Sequence, residues 1–360
     1  MDDCGLGSFL DEVSDGSLLR IDTDLGNGFV RLRVSEAQRR QAKQDIRCVE
    51  DAVIEMLRNA RDAHARTVFL ATARSTDSRT VTVVDDGDGV PEDMRERIFE
   101  PRVTSKLDTF SEDEWGVHGR GMALYSIREN AADASVTASV VGGGSAIRAA
   151  FRTCDLPERK DQSTLPELSG SAREGWRLGN GPRNIARATA EFALSCRATC
   201  TVYFGSPVEV AATLRAYGRR WAAGLVEARI PVERIAPAKR IALCVDAAAL
   251  SQCACDLGLD VSQRSAYRIL QGEVEPLAPL LGILRERSSR DDGDARAGRD
   301  GVRDMRGLRI AAEDIDDFSA ALKRVWHDLA EAYYLESDIE PVVKVSRDGV
   351  QVTFPASKQL

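Results

Sequence analysis

No apolar run in the 360 residues approaches the length of a membrane span, so no transmembrane helix is expected. The N-terminus, MDDCGLGSFLDEVSDG, is acidic where a secretory signal would be basic, which points to a cytoplasmic setting. Histidine is scarce, with only His64, His118 and His327. The eight cysteines are Cys4, Cys48, Cys154, Cys196, Cys200, Cys244, Cys253 and Cys255. Neither Cys196/Cys200 nor Cys253/Cys255 makes a CxxC pair or has a histidine nearby, which argues against zinc. Cys48 and Cys244 lie in apolar segments, as small core residues do, and this usage fits a reducing compartment. An excess of positive charge is also lacking. Lys and Arg number 49 against 57 Asp and Glu, a net charge of −8, so there is no overall attraction to nucleic acid or an anionic membrane. The remaining composition, 43% hydrophobic and 29% charged, is that of a globular chain long enough for two or three domains.

What is present concentrates between Glu55 and Gly121. Residues 18–34 alternate around Gly26-Asn27-Gly28 as a hairpin. Ser35 then caps one long helix, on which Glu55, Asn59 and Asp62 share a polar face while Val49, Ala52, Val53, Met56, Leu57 and Ala60 supply apolar positions. Taken alone, that face reads as a solvated stripe. Strands are expected over residues 67–73 and 80–84, the second running into Asp85, Gly87 and Gly89. In GVHGRGMALYSI, Gly116, Gly119 and Gly121 open a helix whose N-terminal N–H groups can face phosphate. A closing hairpin is expected over residues 136–141 and 146–151. Each motif alone is weak, since a lone Gly-x-Gly is commonest as a turn. Their order and spacing together are specific.

In that order they resemble the GHKL ATPase superfamily (DNA gyrase B subunit, the large heat-shock chaperone, histidine kinases, MutL), over about residues 18–150. Its ExxxNAxDA motif is matched by Glu55, Asn59, Ala60, Asp62 and Ala63, and its DxGxG by Asp85, Gly87 and Gly89. GVHGRG is similar to the gyrase GLHGVG, and IFEPRVTSK, residues 98–106, is similar to histidine kinases at its start and MutL at its end, so no single branch is indicated. The resemblance implies an α+β fold, a two-layer α/β sandwich of the Bergerat ATP-binding type, in residues 1–154. It also implies Mg-ATP as ligand. Asp85 would accept the adenine amino hydrogen, a contact GTP could not make. Asn59 would be the magnesium ligand, an oxygen donor suited to a hard cation. Glu55 would orient and deprotonate the attacking water. Asp62, Gly87, Gly89 and Val90 would shape the nucleotide pocket. Thr104, Ser105, Gly116, Val117, Gly119, Arg120, Gly121 and Met122 would hold the phosphates, with Lys106 or His118 as supplementary donors; Lys106 reads equally as an exposed lid lysine.

Three uses of such a pocket are implied: hydrolysis driving a conformational or dimerisation switch, phosphorylation of a partner's serine as in the anti-sigma-factor branch, or ATP-gated DNA binding. No histidine precedes the nucleotide motifs, which argues against histidine autokinase chemistry. The partners implied are a protein client and a nucleotide-dependent homodimer; DNA is not favoured and no membrane is expected.

Beyond the motifs, residues 155–181 shift to Pro, Ser, Gly and charge, as in a linker or mobile loop. Residues 182–236 read helix, strand, helix, a smaller α/β segment placed where relatives carry a transducing domain. Within a mainly helical region, 237–287, residues 257–277 resemble the turn and second helix of a helix-turn-helix. Gln263, Arg264, Ser265 and Arg268 would face outward, and Ala266 and Ile269 inward. Asp256, Glu273 and Glu275 offset the positive charge, so a structural helical hairpin is expected. Residues 288–304 read as a disordered linker. Residues 305–360 read as an amphipathic helix, with Phe318, Leu322, Val325, Leu329 and Tyr333 on one face, followed by a hairpin. Trp326 is expected in its core and His327 at its surface.

Overall fold

A computed structural model describes residues 21–33, 36–104, 111–113, 116–118, 121–171, 175–297, 302–303, 309–310, 312–333, 336, 338–346 and 349–354. They fall into two compact units, 1–287 and 288–360. The larger begins with the expected hairpin, β1 (Ile21–Gly26) and β2 (Phe29–Leu32). The single long helix expected next is two helices, α1 (Glu36–Asp45) and α2 (Val49–Asp62). The break arises because the Asp51 carboxylate accepts from the N–H groups of Arg47 (2.9 Å) and Cys48 (3.2 Å), leaving Cys48 extended as a fresh N-cap.

Next come β3 (Thr67–Arg74), β4 (Ser78–Asp85), the short β5 (Val103–Thr104), β6 (Ser111–Asp113), β7 (Gly116–His118), α3 (Ala123–Asn130), β8 (Asp133–Val140) and β9 (Gly144–Arg152). Gly116–His118 is thus extended and paired with Ser111–Asp113, and the helix expected to open in this stretch starts only at Ala123. After the hairpin β10 (Leu168–Ser171) and β11 (Gly175–Leu178) follow α4 (Ile185–Ser195), β12 (Thr201–Gly205) and α5 (Pro207–Glu227). The short α6 (Pro237–Arg240), α7 (Ala247–Asp256), α8 (Gln263–Gln271) and α9 (Leu280–Ala297) complete the series.

One five-stranded sheet, in the order β12-β3-β4-β9-β8, organises the unit. All neighbours are antiparallel except β12, which pairs parallel to β3. Alternation along β3 and β4 serves both faces. Val68, Leu70, Val81 and Val83 pack beneath α2 and α4 with Met56, Leu57 and Phe192. Phe69, Ala71 and Val84 point the other way, against Leu214, Ile241, Leu250, Leu257 and Ile269. The fold is α+β, and the expected helix layer over the sheet is joined by a second layer, α5 to α8, on the opposite face.

Residues 182–236 are therefore no separate segment, since β12 continues the sheet as its edge strand. The reason lies in hydrogen-bond demand: the β3 edge offers backbone groups, and α4 supplies the crossover a parallel neighbour needs. Nor are the described residues that open 155–181 a loose linker. Glu158 is buried between Arg79 and Arg74, and Glu50 Oε1 accepts from Arg159 N (3.1 Å) and Gln162 Nε2 (2.5 Å). The helix-turn-helix-like pair α7 and α8 lies against the sheet, where Thr82 donates from β4 to the Gly258 carbonyl (2.7 Å). Ala266 and Ile269 are buried and Gln263, Arg264 and Arg268 exposed; Arg268 pairs with Glu273 (3.2 Å).

Helix α9 runs through Ala297, so the first part of the expected linker is helical. Arg and Ala, both good helix formers, recur there. The second unit holds the pairs β13 (Val302–Arg303) with β14 (Arg309–Ile310), helix α10 (Ala312–Tyr333), and hairpin β15 (Val342–Ser346) with β16 (Gly349–Thr353). Trp326 stacks on Phe354 at 4.6 Å, but Phe318, Val325 and Leu329 of the expected core face stand 43%, 68% and 49% exposed. The short hairpin covers only part of that helix.

Candidate functional site

The polar face of α2 is not a solvated stripe. Glu55, Asn59 and Asp62 line a cavity of about 660 Å³, while the helix's other side is held by buried Val49, Val53 and Leu57. Arg58, its side chain 4% exposed, places Nη1 2.6 Å from Glu55 Oε1, whose side chain is 22% exposed. A nearly buried guanidinium thus fixes the orientation of a carboxylate that still reaches the cavity. One turn on, Asn59 Nδ2 is buried without a hydrogen-bond partner. An unmet buried amide costs free energy in the free protein, and a polar ligand would recover it.

The second wall is the turn after β4. Asp85 is buried, and its carboxylate accepts from Gly87 N (2.8 Å) and Ser145 Oγ (2.6 Å). Burial outweighs those two donors and pushes its pKa from the usual 3.8 up to about 6. The turn needs its glycines for different reasons. A Cβ on Gly87 would stand 2.4 Å from the Ala63 carbonyl, which accepts from Asp88 N (2.8 Å) and so ties this turn to the end of α2. Gly89 has φ +70°, and a Cβ there would lie 2.2 Å from the Val140 carbonyl. Asp86 faces away from the cavity's carboxylate, accepting from Arg66 N (2.8 Å), Thr67 N (2.7 Å) and the Tyr217 hydroxyl (3.1 Å).

Apolar side chains of Ile54, Ile98, Val103, Leu124 and Ile147 complete the lining and offer flat surface to a ring. At the α3 end the cavity is lined by Thr104, Gly121 and Met122. The Gly121 carbonyl accepts from Arg102 N (2.8 Å), which holds the start of α3 against the strand before it. Such a cavity can take a planar base against a deep carboxylate, with polyanionic groups toward the first turn of α3.

The fold therefore gathers Glu55, Asn59, Asp62, Asp85, Gly89, Val90, Thr104, Gly121 and Met122 around one cavity, with Gly87 shaping the turn from behind. Gly116, Val117 and His118 form β7, whereas Ser105, Lys106, Gly119 and Arg120 lie outside the described residues. Sequence reasoning missed Ser145 and Arg58. Ser145 follows Gly142-Gly143-Gly144 and reads as hairpin; only the pairing of Val84 with Ala146 brings it beside Asp85. Arg58 sits between motif positions, and its charge amid apolar neighbours was the available signal.

The donor set suits a nucleotide and a hard cation. Asp85 is an acceptor for an amine; Asn59, on the helix turn next to Glu55, brings an amide oxygen of the kind a hard cation takes and a buried, unmet Nδ2 that can donate to a phosphate oxygen. Among the described residues no cluster of three or more His, Cys, Asp or Glu could hold a metal by itself.

Residues 44–155 match the family described as histidine kinase-, DNA gyrase B-, and HSP90-like ATPase. The chain is also similar to the DNA mismatch repair protein MutL from two strains of Thermus thermophilus. Each is 35% identical over 150 residues, 40% of this chain and 26% of the relative. The chain thus spans about a quarter of the length of the curated relatives it matches.

Proposed function

Because residues 44–155 belong to the histidine kinase-, DNA gyrase B- and HSP90-like ATPase family, a family that binds ATP, we propose that this chain binds Mg-ATP in the α2–Asp85 cavity and hydrolyses it to drive a conformational or dimerisation switch. The observation that carries the reading is the placement of Glu55 and Asn59 on successive turns of one helix, both lining the cavity that Asp85 also lines. Asp85 accepts the hydrogen of the adenine amine, with the ring against Ile54, Val103 and Ile147. Asn59 supplies an amide oxygen to magnesium, which neutralises phosphate charge. Glu55, held by Arg58, accepts a proton from water positioned toward the terminal phosphate. Backbone N–H groups at Gly121 and Met122, where α3 begins, take phosphate oxygens. Gly116, Val117 and His118 stand in the segment leading to that helix, and a client protein or a second copy of the chain receives the motion.

Two substitutions test this. Glu55→Ala is expected to keep nucleotide binding and to lose turnover by ~10²–10⁴-fold, the usual contribution of a placed general base. Asn59→Ala is expected to weaken both, because Asn59 would hold the magnesium that neutralises phosphate charge. Phosphate release measured beside calorimetric Mg-ATP binding separates the two. Wild-type turnover in Glu55→Ala would remove the proposed base. Binding without turnover, with label passing from ATP to a partner's serine, would assign the site to phosphotransfer instead.

A further inference from the structure

The residue after Asp85 is held from the opposite face of the sheet. Asp86 is half-buried, and its two carboxylate oxygens meet different neighbours. Oδ1 accepts from Arg66 N (2.8 Å) and Thr67 N (2.7 Å), which ties the end of β4 to the start of β3. Oδ2 accepts from the hydroxyl of Tyr217 (3.1 Å), 131 residues on in α5, its one donor among the described residues.

The Tyr217 ring is itself braced. It packs edge-on against Phe69 of β3, ring centres 5.2 Å apart, and the fully buried Phe69 stacks on Tyr203 of β12 at 5.0 Å. Trp221, one helical turn on in α5, lies 5.1 Å from Tyr217. Arg220 covers both of those rings (5.2 and 4.2 Å), and Lys239 stands 4.4 Å from the indole. Gly218 lets α5 approach the segment 237–243 closely: a Cβ there would stand 2.7 Å from the Ala242 Cβ and 3.0 Å from the Lys239 carbonyl. The hydroxyl thus projects from a ring with little freedom left to lose when it donates.

Asp86 shares a planar peptide with Gly87, whose N–H donates to Asp85 Oδ1 (2.8 Å). A rotation at Asp86 therefore moves the donor that aims the Asp85 carboxylate, whose other oxygen is held by Ser145 (2.6 Å). On the ATP reading of this cavity, we propose that Tyr217 is a positioning residue for nucleotide recognition, its hydroxyl acting through Asp86 to set how Asp85 meets the amine of the base. Without that hydroxyl, Asp86 Oδ2 loses its donor, and the carboxylate can turn away from the Arg66 and Thr67 N–H groups. The Asp86–Gly87 peptide then tilts, and the bond from the amine to Asp85 lengthens. Ile54, Val103 and Leu124 along the cavity wall, and Thr104, Gly121 and Met122 at its α3 end, lie on other elements and keep their places. Tyr217 thus acts on the amine contact and not on the cavity as a whole.

The test uses the full chain and Tyr217→Phe, which keeps the ring and removes only the hydroxyl. Mg-ATP is titrated calorimetrically beside purine riboside triphosphate, the same nucleotide without its amine. Tyr217→Phe is expected to bind ATP about fivefold more weakly, the worth of one net hydrogen bond, and to bind the amine-free nucleotide as wild type does. In an Asp85→Asn background the same substitution is expected to cause no further loss of ATP affinity, because both act on one contact. Three results would overturn the role given to Tyr217: unchanged ATP affinity in the variant folded by circular dichroism, an equal loss for both nucleotides, or losses that add in the double variant. A wild-type chain that binds neither nucleotide would instead remove the ATP reading, and the role of Tyr217 with it.

Discussion

Replacing Asp85 by Asn separates binding from stability, because the two should move in opposite directions. In the free protein the carboxyl is buried and titrates at about 6 instead of 3.8. The native state therefore binds more protons than the unfolded chain between those values, and stability falls as pH rises through the window. Above pH 6 the full penalty is present, and the difference between about 6 and 3.8 corresponds to about 3 kcal/mol. An amide at this position keeps an acceptor for Gly87 N, and the Ser145 hydroxyl can turn to accept from its NH₂. Asp85→Asn should then be more stable than wild type at pH 8, by up to about 3 kcal/mol, with the advantage vanishing as the pH falls toward 4. ATP affinity should move the other way. Losing the charged acceptor for the adenine amine should weaken binding by about 1–3 kcal/mol, roughly 5- to 150-fold. Wild-type affinity should also decline below pH 6 as Asp85 protonates, and the variant's should not follow it. Urea melts at pH 8 and pH 4 beside calorimetric titration with Mg-ATP read all three. Unchanged ATP affinity in a folded variant would remove Asp85 from the site. A variant less stable than wild type at pH 8 would refute the account of its burial.

Three further substitutions probe the frame. Gly89→Ala should cost more than the ~1 kcal/mol of an ordinary exchange, because φ is +70° and the new Cβ meets the Val140 carbonyl at 2.2 Å; a melt beside an ATP titration should show loss of both stability and affinity. Thr82→Val leaves the Gly258 carbonyl without the buried donor it has at 2.7 Å, and should destabilise by about 1–3 kcal/mol in urea without altering nucleotide affinity. Arg264→Ala with Arg268→Ala should leave low-salt DNA gel shifts unchanged, since α8 carries a mixed charge and Arg268 is already paired with Glu273; sequence-selective binding abolished by the double substitution would make this helix a DNA reader.

Much of the nucleotide cavity was legible in the sequence because its parts are local. Glu55, Asn59 and Asp62 share a face through the helical repeat alone, and Asp85, Gly87 and Gly89 are bound to one turn at a strand end. The strands β3, β4, β8 and β9 announced themselves through β-branched residues and a glycine hairpin for the same reason. What the pattern left open depended on contacts between distant segments. Ser145 reaches Asp85 only through the β4–β9 register, and the break between α1 and α2 depends on the Asp51 side chain turning back to Arg47 and Cys48. Composition marked 155–181 as loose, but the burial of Glu158 between two arginines holds its opening residues in place. Likewise, nothing within residues 182–236 says that β12 will extend the first sheet, because an open strand edge is a property of the folded β3. Local periodicity thus determined which residues line the cavity, whereas burial and strand pairing across more than a hundred residues decided what surrounds it.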